Sequence, residues 1–382
     1  MRDDSMIRWN EAGEEKSARW RSESGTPPPK RVVIADDRMT ADAAYRLACE
    51  GTALLWRGDF QNARQLLQAM TRRANEKPRE RKNKAVTLTE AFHLHRLAQS
   101  QRARTLGMLL IPFNADHTIP LRRAPDVRHA CADAYGPETE GLPYIASLRG
   151  LQGIIGAYEW RKKGVEIPAL GARIHPHYGV FAPIRSEYIG LVNETPLPGL
   201  IETRSVAFDI GTGTGVLAAV LARRGVKRIV ATDQDPRALN CARENLTRLG
   251  LSAQVEVVQE NLFPEGRAAL VVCNPPWVPA RPSSPLEHAV FDPESRMLRG
   301  LLDGLAAHLE PGGEGWLILS DLAEHLGLRT RAELLAAIDA AGLKVLGKID
   351  VKPHHPRVSD AGDPLHAARA AELTSLWRLT AK

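Results

Sequence analysis

The clearest chemical pattern in this sequence is the loop Asn274-Pro275-Pro276-Trp277, which directly follows a short apolar run. Two prolines stiffen the backbone and remove two N–H donors, so neighbouring carbonyls stay free to accept hydrogen bonds. The Asn274 side-chain oxygen and the Pro275 carbonyl could accept from an NH₂ group, and Trp277 offers a flat surface for a planar group. Such a loop would hold a planar nitrogen in a fixed orientation for reaction by positioning alone, without a general base. The alternative is a proline-rich turn with a buried tryptophan.

A glycine-rich turn stands between a strand-like run and a helix-like run, and its residues are Asp209, Gly211, Thr212, Gly213 and Gly215. Glycines allow a sharp turn and a close approach to a ligand, and amides at the helix start point at that ligand. The spacing is G-x-G-x-G rather than the dinucleotide pattern G-x-G-x-x-G. A carboxylate before the loop suits a cationic amino-acid ligand and would repel a pyrophosphate. The alternative is a plain strand-to-helix turn.

Two polar residues follow the next two predicted strands. Asp233 lies roughly twenty residues past the glycine loop, where a carboxylate can hold ribose hydroxyls. Asn261 follows the third strand, and its amide could contact an adenine edge or serve as a turn residue. Asp235, followed by Pro236, is predicted to be the N-cap of a helix.

The segments that must position these residues alternate between strand-like and helix-like patterns. The predicted strands are 206–210, 228–232, 254–258, 268–273, 314–319, 343–349 and 374–380. The predicted helices are 216–224, 236–249, 294–309 and 331–341. This order indicates an α/β, Rossmann-like, doubly wound and mostly parallel sheet of seven strands. The last two strands are joined by a loop without a helix, which suits an antiparallel last strand.

The first 167 residues have a different character. We interpret residues 1–37 as a flexible arm and 38–167 as a mainly helical, basic substrate-recognition domain that precedes the sheet domain of 168–382. A basic patch runs from Arg72 to Lys84 and could contact phosphates, although it contains no aromatic residue for stacking. The alternative for this patch is a solvated face between helices.

Composition limits the class of protein without choosing a partner. The chain has 382 residues, 43% hydrophobic and 25% charged, with a net charge of +6, which is compatible with a nucleic-acid or ribosome-associated partner. Its four cysteines form no C-x-x-C pair, which argues against disulfides and zinc and favours a cytoplasmic setting. We expect no signal peptide and no membrane span. We also expect no metal site, because His354, His355 and His366 have no cysteine or well-spaced carboxylate nearby.

The glycine motif, Asp233 and the loop from Asn274 to Trp277 together resemble class I S-adenosylmethionine-dependent methyltransferases. The groups in question are the release-factor glutamine, ribosomal-protein glutamine and small-domain rRNA or tRNA purine enzymes. Residues 177–187 are similar to the lead-in that covers the cofactor in those enzymes, and the resemblance spans about 200 residues from Arg173 onward. Two residues depart from the pattern: Trp277 stands where Tyr or Phe is commoner, and Asn261 where Asp is commoner.

The resemblance implies S-adenosylmethionine as cofactor and assigns roles to particular residues. The residues implied to bind the cofactor are Asp209, Gly211, Thr212, Gly213, Gly215, Asp233, Asn261, Asn274 and Arg185. Of these, the glycine motif would hold the methionine part, Asp233 the ribose and Asn261 the adenine. Asn274, Pro275, Pro276 and Trp277 would orient the acceptor nitrogen.

The sequence therefore predicts an N-methyltransferase acting on a planar nitrogen. The basic patch tilts the prediction toward a purine exocyclic amine in rRNA or tRNA, and the alternative acceptor is a glutamine of a translation factor or ribosomal protein. A small-molecule acceptor stays open. Rivals of other classes are a non-catalytic cofactor-binding protein and a nicotinamide oxidoreductase, the latter opposed by the G-x-G-x-G spacing.

Overall fold

The computed structural model describes residues 6–76, 87–136, 141–282, 285–353 and 363–382. The described residues divide into two compact units. The N-terminal unit contains 6–76, 93–136 and 141–159, and the C-terminal unit contains 87–92 and the described residues from 160 onward. The predicted boundary at 167/168 thus lies eight residues beyond the observed one. Within these residues, no helix has the length and apolar character needed to cross a bilayer.

The N-terminal unit is built on a six-stranded sheet in the order β1-β2-β6-β5-β4-β3. Its strands are β1 (Met6–Glu11), β2 (Glu14–Arg21), β3 (Arg31–Ala35), β4 (Thr52–Trp56), β5 (Leu109–Phe113) and β6 (Tyr144–Ser147). Its helices are α1 (Ala41–Cys49), α2 (Phe60–Asn75), α3 (Leu88–Leu106), α4 (Arg128–Tyr135) and α5 (Leu148–Lys163), of which 88–92 and 160–163 group with the C-terminal unit.

The prediction of a flexible arm is wrong for the described part of 1–37. Residues 6–11 and 14–21 form an antiparallel hairpin that turns at Ala12 and Gly13, both with positive φ. Helices α1 to α5 do supply most of the regular structure of 38–167, but they accompany a sheet that the sequence did not predict. Residues 52–56 are buried along their whole length, and a continuous apolar run has no period that separates a strand from a buried helix. Of the basic patch, only Arg72 and Arg73, at the end of α2, are described; 77–84 lie outside the described residues.

The C-terminal unit contains a seven-stranded sheet in the order β11-β10-β9-β12-β13-β15-β14. Its strands are β9 (Val206–Ile210), β10 (Arg228–Asp233), β11 (Val255–Gln259), β12 (Ala268–Cys273), β13 (Leu309–Ser320), β14 (Leu343–Val351) and β15 (Thr374–Ala381). A separate hairpin consists of β7 (Val165–Ile167) and β8 (Ala172–Ile174). The first five strands of the sheet are parallel, and β15 lies antiparallel to both β13 and β14.

Helices cover both faces of this sheet. They are α6 (Glu187–Glu194), α7 (Val216–Arg223), α8 (Pro236–Arg248), α9 (Arg296–His308), α10 (Leu322–His325), α11 (Arg331–Ala340) and α12 (His366–Ala371). One hydrophobic cluster, which includes Val220 and Leu246, lies under α6, α7 and α8, and another, with Leu301 and Ile338, lies under α9 and α11. The chain proceeds outward from β9 to β11 and then crosses to β12 on the other side of β9. A sheet with such a reversal of strand order places its ligand cleft at the carboxyl ends of the strands that flank the reversal.

Candidate active site

A cleft of about 760 Å³ opens at the carboxyl ends of β9, β10, β11 and β12. Its volume lies within the range of ligand pockets, roughly 300–1,000 Å³. Of the twelve predicted site residues, all but Gly215 line it. Residues Ile210 and Cys273 are register partners in the parallel pair of β9 and β12, so Gly211 and Asn274 leave the sheet side by side. The strand register therefore brings the glycine loop and the proline loop into one cleft.

The Asp209 side chain stabilises the conformation of the glycine loop. Its buried carboxylate accepts through Oδ2 from the Thr212 hydroxyl at 2.7 Å and from the Ala218 amide, in α7, at 3.0 Å. The Thr212 amide in turn donates to the Thr232 carbonyl at 2.8 Å, which ties the loop to β10. Asp209 thus supports the loop as well as lining the cleft.

The glycines of the loop have different surroundings, although Gly213 and Gly215 both adopt positive φ. A Cβ on Gly213 would meet nothing within 4 Å, and this residue lines the cleft. A Cβ on Gly215 would lie 3.3 Å from Ala242 of α8, so Gly215 allows α7 and α8 to pack closely. This packing explains why Gly215 does not line the cleft.

Asp233 lines the adjacent part of the cleft. Its Oδ2 accepts from the Gly213 amide and its Oδ1 from the Asp235 amide, each at 3.0 Å. Asp235 caps α8 by accepting from the Arg237 amide at 2.9 Å, as its position before Pro236 predicted. Asn261 lies exposed at the rim, after β11.

The two carboxylates give this part of the cleft a negative field. Burial raises the pKa of Asp209 to about 6, although the hydrogen bonds from Thr212 and Ala218 oppose the rise, and the charge of Asp233 adds to it. Burial also raises the pKa of Asp233. Burial therefore makes each ionised carboxylate costly, and a cationic ligand would stabilise both. A pyrophosphate would add to the repulsion instead.

The proline loop is held by side chains rather than by backbone amides. The Trp277 indole Nε1–H donates to Asn274 Oδ1 at 2.9 Å. The Arg185 guanidinium carbon lies 4.9 Å from the centroid of the Trp277 ring. Arg185, predicted from the resemblance to bind the cofactor, lines the cleft but is paired with Glu187 and Glu372. Contacts among these side chains therefore stabilise the proline loop.

Two residues in or beside the cleft escaped sequence reasoning. Asn245, in α8, is buried and donates to the Thr214 carbonyl while accepting from the His175 amide, which links the glycine loop to the segment just before the lead-in. Asp292 lines the cleft and accepts from the amides of Met297 and Leu298 at the start of α9. An Asp-Pro pair before a helix-like run is a helix-start signal that could have identified Asp292. Asn245 has no such local signal.

Among the described residues, no group of three or more His, Cys, Asp or Glu side chains is arranged to hold a metal ion. His354 and His355 lie outside the described residues, and His366 begins α12.

Comparison with known proteins supplies an independent line of evidence. Residues 191–330 match the family model described as "Methyltransferase small domain". The ribosomal protein L11 methyltransferase of Pelotomaculum thermopropionicum is 41% identical over 141 residues, which cover 36% of this chain and 38% of that protein. The release factor glutamine methyltransferase of Cereibacter sphaeroides is 33% identical over 186 residues, covering 44% of this chain and 62% of that protein. The chain thus spans less than two thirds of the length of either relative.

Solved structures give a weaker likeness. The ribosomal protein L11 methylase of Lactobacillus delbrueckii subsp. bulgaricus is 19% identical, with a TM-score of 0.32 over 46% of this chain and 70% of that chain. The family and sequence matches confirm the resemblance to methyltransferases predicted from the motifs. Residues 191–330, within the C-terminal unit, are thus similar to a methyltransferase domain, and such a domain implies S-adenosylmethionine as the cofactor.

Proposed function

We propose that this protein is an S-adenosylmethionine-dependent N-methyltransferase whose acceptor is a planar side-chain amide of a translation protein. The observation that carries the reaction type is the position of Asn274 beside Gly211, at the reversal of strand order and within one cleft. The two relatives described above, which are named for a ribosomal protein and a release factor, support a protein acceptor. Such an acceptor would place the reaction in the cytoplasm.

The residues of the glycine loop would hold the cofactor. The bound cofactor would supply an electrophilic methyl group on a cationic sulfur. The raised pKa values of Asp209 and Asp233 support this assignment, because a cationic ligand relieves the cost of one buried and one half-buried carboxylate. In this proposal Gly211, Thr212 and Gly213 accommodate the methionine part, and Asp233 accepts from the ribose hydroxyls. Asn261, at the rim, contacts the adenine.

The proline loop would orient the acceptor. The Asn274 side-chain oxygen and the Pro275 carbonyl accept from the two N–H bonds of an amide, and Trp277 contacts its planar face. This arrangement would direct the nitrogen at the methyl group. As the nitrogen–methyl bond formed, the sulfur–methyl bond would break with its electron pair kept by sulfur, and the nitrogen would then lose one proton to solvent. Catalysis by positioning of this kind needs no general base. The basic patch that favoured a purine acceptor lies mostly outside the described residues, and the names of the relatives give no support to RNA.

The proposal is tested by incubating the full chain with methyl-labelled S-adenosylmethionine and a cell extract. We expect label that protease removes and RNase leaves in place. Acid hydrolysis of the labelled protein should then release volatile methylamine, because the methyl group would sit on an amide nitrogen. Label retained on a non-volatile amino acid would contradict the amide acceptor.

The same assay separates the alternatives. Label that RNase removes and protease does not would contradict the protein acceptor and support a purine. Cofactor binding by calorimetry without transfer to any fraction would contradict an enzyme and support a binding protein. The Asn274→Ala variant, which keeps the glycine loop intact, controls for label that binds without being transferred.

A further inference from the structure

We infer that Arg185 is a positioning residue for the proline loop. Arg185 fixes the Trp277 ring, and the Trp277 indole N–H fixes the amide orientation of Asn274. This role replaces the cofactor contact predicted for Arg185 from the sequence. The inference deepens the proposed function and rests on it for its catalytic consequence. Its structural part stands on contacts within the C-terminal unit alone.

The hydrogen bond between Trp277 and Asn274 decides which atom of the asparagine amide is in place to accept. An indole N–H is a donor only, whereas an asparagine amide presents an acceptor oxygen and a donor nitrogen that can exchange places by rotation. Because Nε1 lies 2.9 Å from Oδ1, the rotated amide would bring two donors together. The oxygen is thereby kept in place, and its second lone pair can accept from an acceptor N–H.

This device depends on tryptophan at position 277. The four-residue loop of the enzymes it resembles more commonly ends in Tyr or Phe. Phenylalanine has no donor, and the tyrosine donor is an exocyclic hydroxyl at the far end of the ring rather than an atom of the ring itself. With its N–H engaged by Asn274, Trp277 offers its ring surface rather than a polar contact to the acceptor.

Arg185 holds the ring that carries this donor. A guanidinium 4.9 Å from a ring centroid lies within the distance at which cations and aromatic faces attract, and tryptophan is the strongest partner. The planar guanidinium also restricts rotation of the ring by contact over its face. A lysine at this position would keep the charge and lose the flat contact.

Two acidic residues, one nearby in sequence and one distant, fix Arg185 itself. Its Nε donates to Glu187 Oε1 at 2.6 Å, and its Nη2 donates to Glu372 Oε1 at 3.0 Å. Glu372 is buried and also accepts from the Ser320 hydroxyl at 2.7 Å, at the carboxyl end of β13. Both carboxylates are less than a tenth exposed, so the guanidinium is attached to the rigid edge of the sheet. The orientation of Asn274 is thus set by residues far away in sequence.

The structural part is tested by NMR of the full chain labelled with ¹⁵N in the tryptophan indoles. The Trp277 signal is assigned as the one absent from Trp277→Phe. We expect its N–H to exchange with solvent about five- to tenfold faster in Asn274→Ala, the factor typical of one net hydrogen bond. Arg185→Lys should shift this signal and accelerate its exchange, because the ring is no longer held.

The chain offers a matched control for Arg185→Lys. Arg331 lies 5.1 Å from the centroid of Trp377 and is paired with Glu324, in the same unit, and none of these three residues lines the cleft. Arg331→Lys should leave the Trp277 signal unchanged. An unchanged Trp277 signal in Arg185→Lys, or an equal change in Arg331→Lys, would overturn the inference.

A second readout separates positioning from cofactor binding. By calorimetry, Arg185→Lys should bind S-adenosylmethionine within about twofold of the parent, since no net charge is removed. A tenfold loss of cofactor affinity with an unchanged indole signal would contradict the inference and restore the cofactor contact.

With an acceptor identified, Arg185→Lys and Trp277→Phe should both lower kcat about tenfold while leaving KM for the cofactor unchanged. Unchanged kcat in both variants would contradict the positioning role. If no acceptor is found, the proposed function fails, and the NMR and calorimetry still decide the inference.

Discussion

The glycine-loop half of the cleft (209–215 and Asp233) and the proline-loop half (274–277 and Arg185) are stabilised by different interactions. In the first half, buried carboxylates accept from backbone amides of the loop they support. In the second half, an indole, an amide and a guanidinium contact one another and are anchored by buried glutamates. The first half therefore depends on main-chain shape and charge, and the second on the orientation of particular side chains. Substitutions should separate the two halves.

The largest expected effect comes from removing the side-chain amide of Asn274. Asn274→Ala should lower kcat about 10²- to 10³-fold, the loss typical when one positioned polar contact to the reacting group is removed. Cofactor affinity should change little. The matched variant in the other half, Asn261→Ala, should weaken cofactor binding and leave kcat nearly unchanged. Steady-state kinetics and calorimetry on both variants measure the contrast, which equal losses of kcat would abolish.

The next effect is a pH dependence confined to the glycine-loop half. The Asp209 pKa rises from the ordinary 3.8 to about 6 in the folded protein. This residue thus contributes stability that is fully present below about pH 4 and lost as pH rises through 6. Relative to the parent, Asp209→Asn should raise the free energy of unfolding of the ligand-free protein above pH 7 by up to about 3 kcal/mol, with no gain at pH 4.

Denaturant titrations of parent and variant across that pH range would measure this difference. The same substitution should weaken binding of a cationic cofactor above pH 7, because it removes a negative charge. A stability difference that stays constant with pH would contradict the role of burial at Asp209.

A smaller effect distinguishes two glycines of the same loop. Gly215→Ala should destabilise the fold by about 2 kcal/mol, because the methyl group meets Ala242 at 3.3 Å and φ is +80°. Gly213→Ala, with open space around its Cβ, should cost about 1 kcal/mol from its positive φ. The extra methyl in the cleft should nevertheless weaken cofactor binding about tenfold. Thermal unfolding and calorimetry should therefore rank these variants in opposite orders.

The smallest effect is a control for stability alone. Thr330 and Glu333 form a capping box at the start of α11, away from the residues that line the cleft. Thr330→Ala should lower the free energy of unfolding by about 1 kcal/mol. Cofactor affinity and kcat should match the parent at temperatures where the protein is folded. A loss of activity beyond the loss of folded protein would show that α11 communicates with the cleft.

The C-terminal sheet was accessible to sequence reasoning because its signals are local. The buried run before Asp209, the glycines after it and the Asp-Pro pair at 235–236 each indicate a strand, a turn or a helix start within a few residues. The N-terminal unit was misinterpreted for the same reason. Its hairpin of 6–21 contains few apolar residues, with no regular alternation along β2, and strand β4 is uniformly apolar, so neither carries a distinctive period. The pairing of β2 with β6, and of β4 with β3 and β5, joins them into one sheet.

By itself, the sequence determined the seven strands of the C-terminal sheet, the helices α7, α8, α9 and α11, the glycine loop and the proline loop, because each of these follows from residue types at short separation. It missed the hairpin of β7 and β8 and the helices α6, α10 and α12. Only the tertiary structure decided which side chains those loops rest on. Arg185 meets Glu372 across 187 positions, and the indole that it contacts keeps the Asn274 oxygen in place. No local pattern encodes such contacts, because they arise from the strand order that brings the ends of β9, β12 and β13 to one edge of the sheet.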